Sequence, residues 1–295
     1  MRKILKEDKE KIRQELTVAK QQAKNSLGKV DYTISISQVR SLADNFRLSP
    51  REIEILALRE GIVPERYQRN LGVFSLEEQI KLRQSKVAII GSGGLGGTVL
   101  ELLARVGIGK LVIIDKDVIV ESNLNRQIIA RETNLGKQKV KAALKRIKEI
   151  NSSIQVKAYA TFVNADNVKE LVKGTDVVVD ALDNLPSRFI IQEACRGLKI
   201  PLVHGAIAGF NGQLMTIFPE DKGLELIYGN RNDLPEKGSE TKLGSPTVTP
   251  AIIATLEAQE VIKILLKRGN LFRNRLLYLD LENGTIDTLE LVNSY

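Results

Sequence analysis

One cysteine and one histidine occur in 295 residues, and tryptophan is missing altogether. A single thiol excludes an intramolecular disulfide framework and any zinc site built from several cysteines. Lone thiols of this kind belong to a reducing compartment. No apolar run approaches the roughly 18 residues of a membrane span. The basic amino terminus leads into charged sequence rather than an apolar signal segment. These absences predict a cytoplasmic protein that crosses no membrane. Internal repeats and low-complexity tracts are absent as well.

Charge is plentiful but diffuse. Lys and Arg exceed Asp and Glu by 8 (44 minus 36), an imbalance that suits an anionic ligand or partner such as a nucleotide, an acidic protein or a nucleic acid. Much of the first stretch, "MRKILKEDKEKIRQELTVAKQQAKN", is basic and helical in pattern, so part of the excess is read as a solvated helix face.

Residues 1–65 read as a helical extension: the basic helix, another near 36–47, and a third opened by "SPREIEILALRE", with Ser49 as cap and Pro50 at the first helical position. From Lys86 onward, strands and helices alternate. "KVAIIG", "KLVIID", "QVKAYA", "DVVVDAL" and "PLVHGA" are the strands, with helices at 95–106, 137–150, 166–172 and 186–198 between them. This is the rhythm of an α/β fold with a doubly wound, mostly parallel sheet, and the continuously apolar runs "VAII", "LVII" and "VVVD" fit strands covered on both faces. After Gly205 the pattern changes to antiparallel strands, "GQLMTIFP" and "LLYLDLENGTIDTLEL", the latter turning at Asn283-Gly284. Between them lie a Gly/Pro/Ser/Thr-rich stretch, 229–250, expected to be a functional crossing loop, and a helix, "AIIATLEAQEVIKILLKRG", closed by Gly269. Residues 66–295 are thus expected to form the main domain.

The loop Gly91-Ser92-Gly93-Gly94-Leu95-Gly96 follows a strand and opens a helix, so its backbone N–H groups and the helix dipole are suited to phosphate. Asp115, 19 residues past Gly96 at the end of the next strand, is placed to accept ribose hydroxyl protons. NAD and ATP both carry adenosine, so these residues do not choose between them. The choice comes from "ESNLNRQIIARETNLGKQKV" downstream. A triphosphate carries about four negative charges that must be met by cations and donors before attack at the α-phosphorus. Asn123, Arg126, Gln127 and Lys139 supply such groups, and Asp183, at the end of the "DVVVDALDN" strand, suits Mg2+.

Taken together, "RYQRN" (66–70), "GSGGLGG" (91–97), "IDKD" (114–117), "SNLNRQ" (122–127), "GKQKV" (136–140), "DALDN" (180–184), "PLVHGA" (201–206) and the late "AIIATLEAQEVIKIL" helix resemble the MoeB/ThiF/HesA adenylyltransferases of the ubiquitin-activating superfamily. The likeness covers roughly residues 66–293. It implies that Gly91, Gly93, Gly94 and Gly96 form the nucleotide loop, that Asp115 holds the ribose with Asp117 beside it, and that Asn123, Arg126 and Lys139 contact the phosphates next to Gln127. It further implies that Asp183 binds Mg2+ and that Arg69 reaches across a homodimer interface into the partner's ATP site. The implied reaction adenylates the C-terminal glycine carboxylate of a small ubiquitin-like sulfur carrier ending in Gly-Gly. Pyrophosphate is released, and a separate sulfur-donor protein follows in molybdopterin, thiamine or related synthesis. A carboxylate is ionised at pH 7, so no general base is required.

The chain also departs from that pattern. Many relatives hold zinc with two CxxC pairs and use a cysteine in the crossing loop; this chain has neither, so no zinc is expected. Cys195, within a helical pattern four residues after Ile191, reads as buried packing. His204 reads as a structural hydrogen-bonding residue, with contact to the carrier tail or nucleotide as the alternative, and Tyr67 as a packed aromatic. The apolar positions Ile252, Ile253, Leu256, Val261 and Leu265 are expected to bury against the sheet or a dimer mate. Other readings are a tRNA threonylcarbamoyladenosine dehydratase, for which tRNA would be the partner, a non-catalytic nucleotide-binding adaptor, and a nicotinamide dehydrogenase.

Overall fold

The computed structural model describes residues 6–24, 30–229 and 243–291. Eight strands form one sheet: β4 (Lys86–Ile90), β5 (Lys110–Ile114), β6 (Gln155–Tyr159), β7 (Val177–Asp180), β8 (Leu202–Ala208), β9 (Asn211–Ile217), β10 (Arg275–Asp280) and β11 (Thr285–Glu290). Their spatial order is β11-β10-β9-β8-β7-β4-β5-β6; the five from β8 to β6 are parallel, and β9, β10 and β11 are antiparallel. The doubly wound, mostly parallel sheet with antiparallel final strands is therefore as the sequence suggests.

The side-chain period of two accounts for both cores. Val87 and Ile89 of β4, with Leu111 and Ile113 of β5, face a core covered by α4 (Leu76–Gln84), α5 (Gly94–Val106), α6 (Lys139–Ile150) and α10 (Val248–Leu266). Ala88, Ile90, Val112 and Ile114 face the opposite core beneath α7 (Val168–Val172), α8 (Leu185–Leu198) and α9 (Glu225–Tyr228). Helices α5 and α6 begin at Gly94 and Lys139, within two residues of the expected starts. Cys195 lies in the second core, where burial first and the Asp180 charge second push its thiol up to about 12, so it stays an un-ionised packing group near neutral pH.

The amino-terminal segment contains the three expected helices, α1 (Lys6–Ala19), α2 (Ile36–Phe46) and α3 (Pro50–Arg59), and also a small sheet that the pattern did not suggest. Strands β1 (Gln21–Lys24) and β2 (Val30–Ile34) pair antiparallel, and β2 pairs parallel with β3 (Ile62–Pro64). Ser49 caps α3 in a reciprocal box: its Oγ accepts from the Glu52 N–H at 3.3 Å, and the Glu52 carboxylate accepts from the Ser49 N–H at 3.0 Å. Ile12, Leu16, Ile34, Val39, Leu42, Ile53 and Ile62 close a third, smaller core.

Two details of the C-terminal half differ from expectation. Helix α10 starts at Val248 and ends at Leu266, and the left-handed residue that closes it is Lys267 (φ 53°) rather than Gly269. The last hairpin pairs Asp280 with Thr285, so Asn283-Gly284 is the second half of a four-residue loop, not a two-residue turn. Most of the crossing stretch falls outside the described residues. On α10, Ile253, Val261 and Leu265 are buried and Ile252 and Leu256 partly so, against α5 and the sheet.

Helix α10 also buries two carboxylates. Glu260 accepts from Thr216 Oγ1 at 2.6 Å and from the Phe272 N–H at 2.9 Å. Glu257 is fully buried and neither of its oxygens meets a hydrogen-bond partner. Burial, reinforced by the Asp180 charge and only partly opposed by Arg188, raises its pKa well above the usual carboxylate value. The folded protein therefore keeps Glu257 protonated, whereas the unfolded chain ionises it from about pH 4.3 upward. Its contribution to stability is lost as pH rises from the unfolded value toward the raised folded one. Glu257→Gln should accordingly stabilise the protein more at pH 8 than at pH 5, as read from urea midpoints. Equal gains at both pH values would refute the assignment.

Candidate active site

Strand order reverses between β4 and β7, and the crevice outside the carboxyl ends of strands at such a point is where open α/β sheets bind ligands. A cavity of about 590 Å3 lies there, walled by the ends of β4, β5 and β7, the 117–139 connection, and the entry to α10.

The glycine loop forms its floor. Gly91 has φ +90° and its N–H donates to Ile114 O at 2.9 Å; a Cβ there would lie 2.5 Å from the Ala181 carbonyl oxygen. A Cβ on Gly96 would lie 1.9 Å from Gly91 O, so loop and helix meet backbone to backbone and no side chain fits. Gly91, Gly93 and Gly94 line the cavity, whereas Gly96 is packed behind them. Asp115 is tied to this loop: its Oδ2 accepts from the N–H and Oγ of buried Ser92 at 2.7 and 2.9 Å, and its Oδ1 from the Asp117 N–H at 2.8 Å. A carboxylate has about four acceptor positions, so it retains capacity for a ligand hydroxyl.

The cationic wall comes from the connection between β5 and α6. The Asn123 side chain accepts from the Val120 N–H at 3.1 Å and is nearly buried. Gln127 is buried against Gly93, and its Oε1 has no hydrogen-bond partner in the protein. Arg126 is half-buried, with Nη1 donating to Ser122 O at 2.9 Å and Asn125 Oδ1 at 2.8 Å. Lys139, at the first turn of α6, sits 2.9 Å from Asp117 Oδ2. Asn125 spans the cavity mouth by donating to Ser245 O at 3.1 Å, ahead of α10.

Asp183 closes the opposite side. It is exposed on the cavity wall and makes no hydrogen bond or ion pair with any described residue. No group of three or more His, Cys, Asp or Glu stands together as a metal cage among the described residues. A single carboxylate without a protein partner among the described residues, beside a cavity large enough for a nucleotide, fits Mg2+, which takes few protein ligands and keeps phosphate and water oxygens.

The sequence-derived residues Gly91, Gly93, Gly94, Asp115, Asp117, Asn123, Arg126, Gln127, Lys139 and Asp183 all converge on this one cavity. Arg69 does not. It is exposed on a 3-10 turn, Glu65–Asn70, pinned by buried Tyr67 and by Asn70 Nδ2, which donates to Gln79 Oε1 at 2.9 Å and Val106 O at 3.2 Å. His204, the alternative substrate contact, is fully buried and off the cavity wall, so the structural reading holds.

Sequence reasoning missed Ser92, Arg188 and the pair Lys116 and Phe162, whose ammonium and ring stand 4.8 Å apart at the Asp115 end. Only Arg188 had a visible signal, a basic residue near the start of the helix that follows Asp183.

Among the described residues, no helix is long and apolar enough to cross a membrane. The chain is 36% identical over 230 residues to the SAMP-activating enzyme E1 of Haloferax volcanii, covering 76% of this chain and 84% of that protein. It is 38% identical over 232 residues to the adenylyltransferase and sulfurtransferase MOCS3 of Arabidopsis thaliana, covering 76% of this chain and 49% of that one. The chain thus spans about half the length of the MOCS3 relatives. Among solved structures, E. coli MccB with ATP superposes with a TM-score of 0.66 at 22% identity, covering 86% of this chain and 79% of that one. PaaA superposes with a TM-score of 0.65 at 22% identity, covering 77% and 82%. These two likenesses concern the fold. The ThiF family model matches residues 67–294, and the chain belongs to the ThiF family.

Proposed function

We propose that this protein is an ATP-dependent adenylyltransferase that activates the C-terminal glycine carboxylate of a small ubiquitin-like carrier protein ending in Gly-Gly. The observation that carries the reading is the single cavity in which a glycine loop, an adenosine-side carboxylate, a cationic wall and a free carboxylate face one another. The names of the Haloferax and Arabidopsis relatives support the same class of reaction. Sulfur transfer by a separate donor protein, in molybdopterin, thiamine or related synthesis, is the pathway we assign to the product, in the cytoplasm.

In this reading the Gly91–Gly94 loop and the start of α5 receive phosphate oxygens, and Asp115 takes the ribose hydroxyls. Arg126 and Lys139 turn from their present partners, Asn125 and Asp117, to the triphosphate. Gln127 has its Nε2 beside Gly93, so its amide N–H group is the donor it offers to the same side. Asp183 and the phosphate oxygens would hold Mg2+, which supplies neutralisation of phosphate charge when bound. The carrier carboxylate attacks the α-phosphorus, a C–O–P bond forms, the bond from Pα to the bridging oxygen breaks, and pyrophosphate leaves. No proton needs to move. Catalysis is positioning and charge compensation, in keeping with the burial of the only thiol and the only imidazole away from the cavity wall.

Carrier-dependent ATP–pyrophosphate exchange tests this. Exchange that appears only when a Gly-Gly carrier is added is the expected result; ATP binding without exchange, across all Gly-Gly carriers supplied, overturns it. Arg69, exposed and outside its own cavity, is assigned to the partner's site in a homodimer. Arg69→Ala and Asp183→Ala should each be inactive alone. Random reassortment of the two makes half the dimers mixed, each with one intact site, so about a quarter of wild-type exchange should return on mixing. No recovery would remove the cross-subunit role.

A further inference from the structure

Asp183 is held in place by its neighbours on the cavity wall and by a buried network behind it. The peptide group on either side of Leu182 is fixed: its N–H donates to Asp180 Oδ1 at 3.1 Å, and its carbonyl accepts from Arg188 Nη2. On the other side, the Asn184 side chain caps α8 by accepting from the Ser187 N–H at 3.0 Å. Asp183 is therefore displayed between two anchored residues.

Asp180, the acid that ends β7, is fully buried, and its Oδ2 lies 2.8 Å from His204 Nδ1 and 3.8 Å from Arg188 Nε. His204 Nε2 in turn faces the Tyr228 hydroxyl at 3.3 Å. The Tyr228 oxygen already accepts from Arg188 Nη1 at 3.3 Å and from Gln213 Nε2. A carboxylate only accepts, so the 2.8 Å contact at Asp180 Oδ2 is a bond donated by His204 Nδ1–H. In the neutral imidazole that leaves Nε2 to accept from the Tyr228 hydroxyl. Burial, with Arg188 adding to it, lowers the His204 pKa despite the neighbouring Asp180, and so favours the same neutral form.

We propose that His204 is a positioning residue for Asp183: steadied at Nε2 by Tyr228, it orients Asp180, which holds the peptide loop that carries Asp183 and thereby sets that carboxylate's affinity for a divalent cation. The inference rests on Asp183 being the cation ligand. It adds that a histidine absent from the cavity wall, and a tyrosine beyond it, govern that ligand.

The test is Mn2+ binding, followed by electron paramagnetic resonance of the free ion, to full-length protein loaded with a non-hydrolysable ATP analogue. Asparagine places an amide N–H where His Nδ1 stood, and glutamine places its amide near Nε2. His204→Gln should therefore weaken Mn2+ binding about tenfold, the scale seen when partners of metal ligands are removed. His204→Asn should stay near wild type. Tyr228→Phe removes only the hydroxyl and should weaken binding in the wild-type background but not in the His204→Asn background, because Tyr228 acts through the histidine. Asp183→Asn is the reference. If it binds Mn2+ like wild type, the cation reading of Asp183 itself fails. If it binds weakly while His204→Gln and Tyr228→Phe match wild type, the cation reading stands and the positioning role is overturned. His204→Asn as weak as His204→Gln would likewise overturn it, since packing rather than the Nδ1 bond would then be at work. Should His204→Gln fail to fold, the Tyr228→Phe pair of measurements decides.

Discussion

Asp183→Ala is expected to lower carrier-dependent ATP–pyrophosphate exchange by about a thousandfold, the upper range for removing one electrostatic group from a reacting centre. The same change should leave stability within ~0.5 kcal/mol of wild type, because exposed side chains without partners contribute little to folding. Both halves follow from its setting. Asp183 has no hydrogen bond or ion pair to lose among the described residues, and it stands on the wall of the cavity rather than in a core. A residue held so, between an anchored Leu182 and a capping Asn184, is poised for a ligand and not for the fold. Asp183→Asn separates charge from shape: it keeps the volume and loses the negative charge, so its exchange should fall nearly as far. A folded Asp183→Ala protein with wild-type exchange would remove the residue from the reaction.

How much of this was legible depended on the range of the interactions involved. The parallel strands were readable because burial on both faces leaves runs such as Val177–Val179 with no polar alternation. The glycine loop and Asp115 were readable because a strand, a turn and a helix N-terminus are local features. The small amino-terminal sheet was not: "QQAK" has no strand preference of its own, and it is extended because "VDYTI" pairs beside it. The end of α10 was misplaced for a different reason. Glycine is the usual left-handed stop, yet Lys267 adopts that conformation, and Gly269 follows two residues later. Buried charge was the least legible property. Asp180, Glu257 and Arg83 look like ordinary surface residues in the sequence, and only packing from distant segments takes them out of water.

Glu54→Ala is expected to destabilise the protein by about 3–5 kcal/mol, because it strands a buried guanidinium. Glu54 lies on α3, and its Oε2 is 2.7 Å from Nη2 of Arg83 on α4, with both side chains almost wholly excluded from solvent. Ser153 Oγ donates to the same oxygen at 3.0 Å, and the Tyr67 hydroxyl faces it at 3.5 Å. Arg83 further donates to the carbonyls of Gly107 and Ile108 at 3.2 and 3.4 Å, which join α5 to β5. Its own carbonyl accepts from Arg51 Nη1 at 3.2 Å, and a Cβ on Gly109 would come within 1.7 Å of that oxygen. The amino-terminal helices thus neutralise a charge buried at the edge of the main sheet. Deleting residues 1–60 takes that carboxylate away along with Arg51, so the truncated chain should unfold at a much lower urea concentration than the full chain. Replacing Glu54 and Arg83 together by Leu and Met should cost far less than either single change, since a charge pair is removed whole instead of being halved. A truncated protein with the full-length midpoint would mean that Arg83 finds another anion or reaches water, and the role given to Glu54 would fall with it.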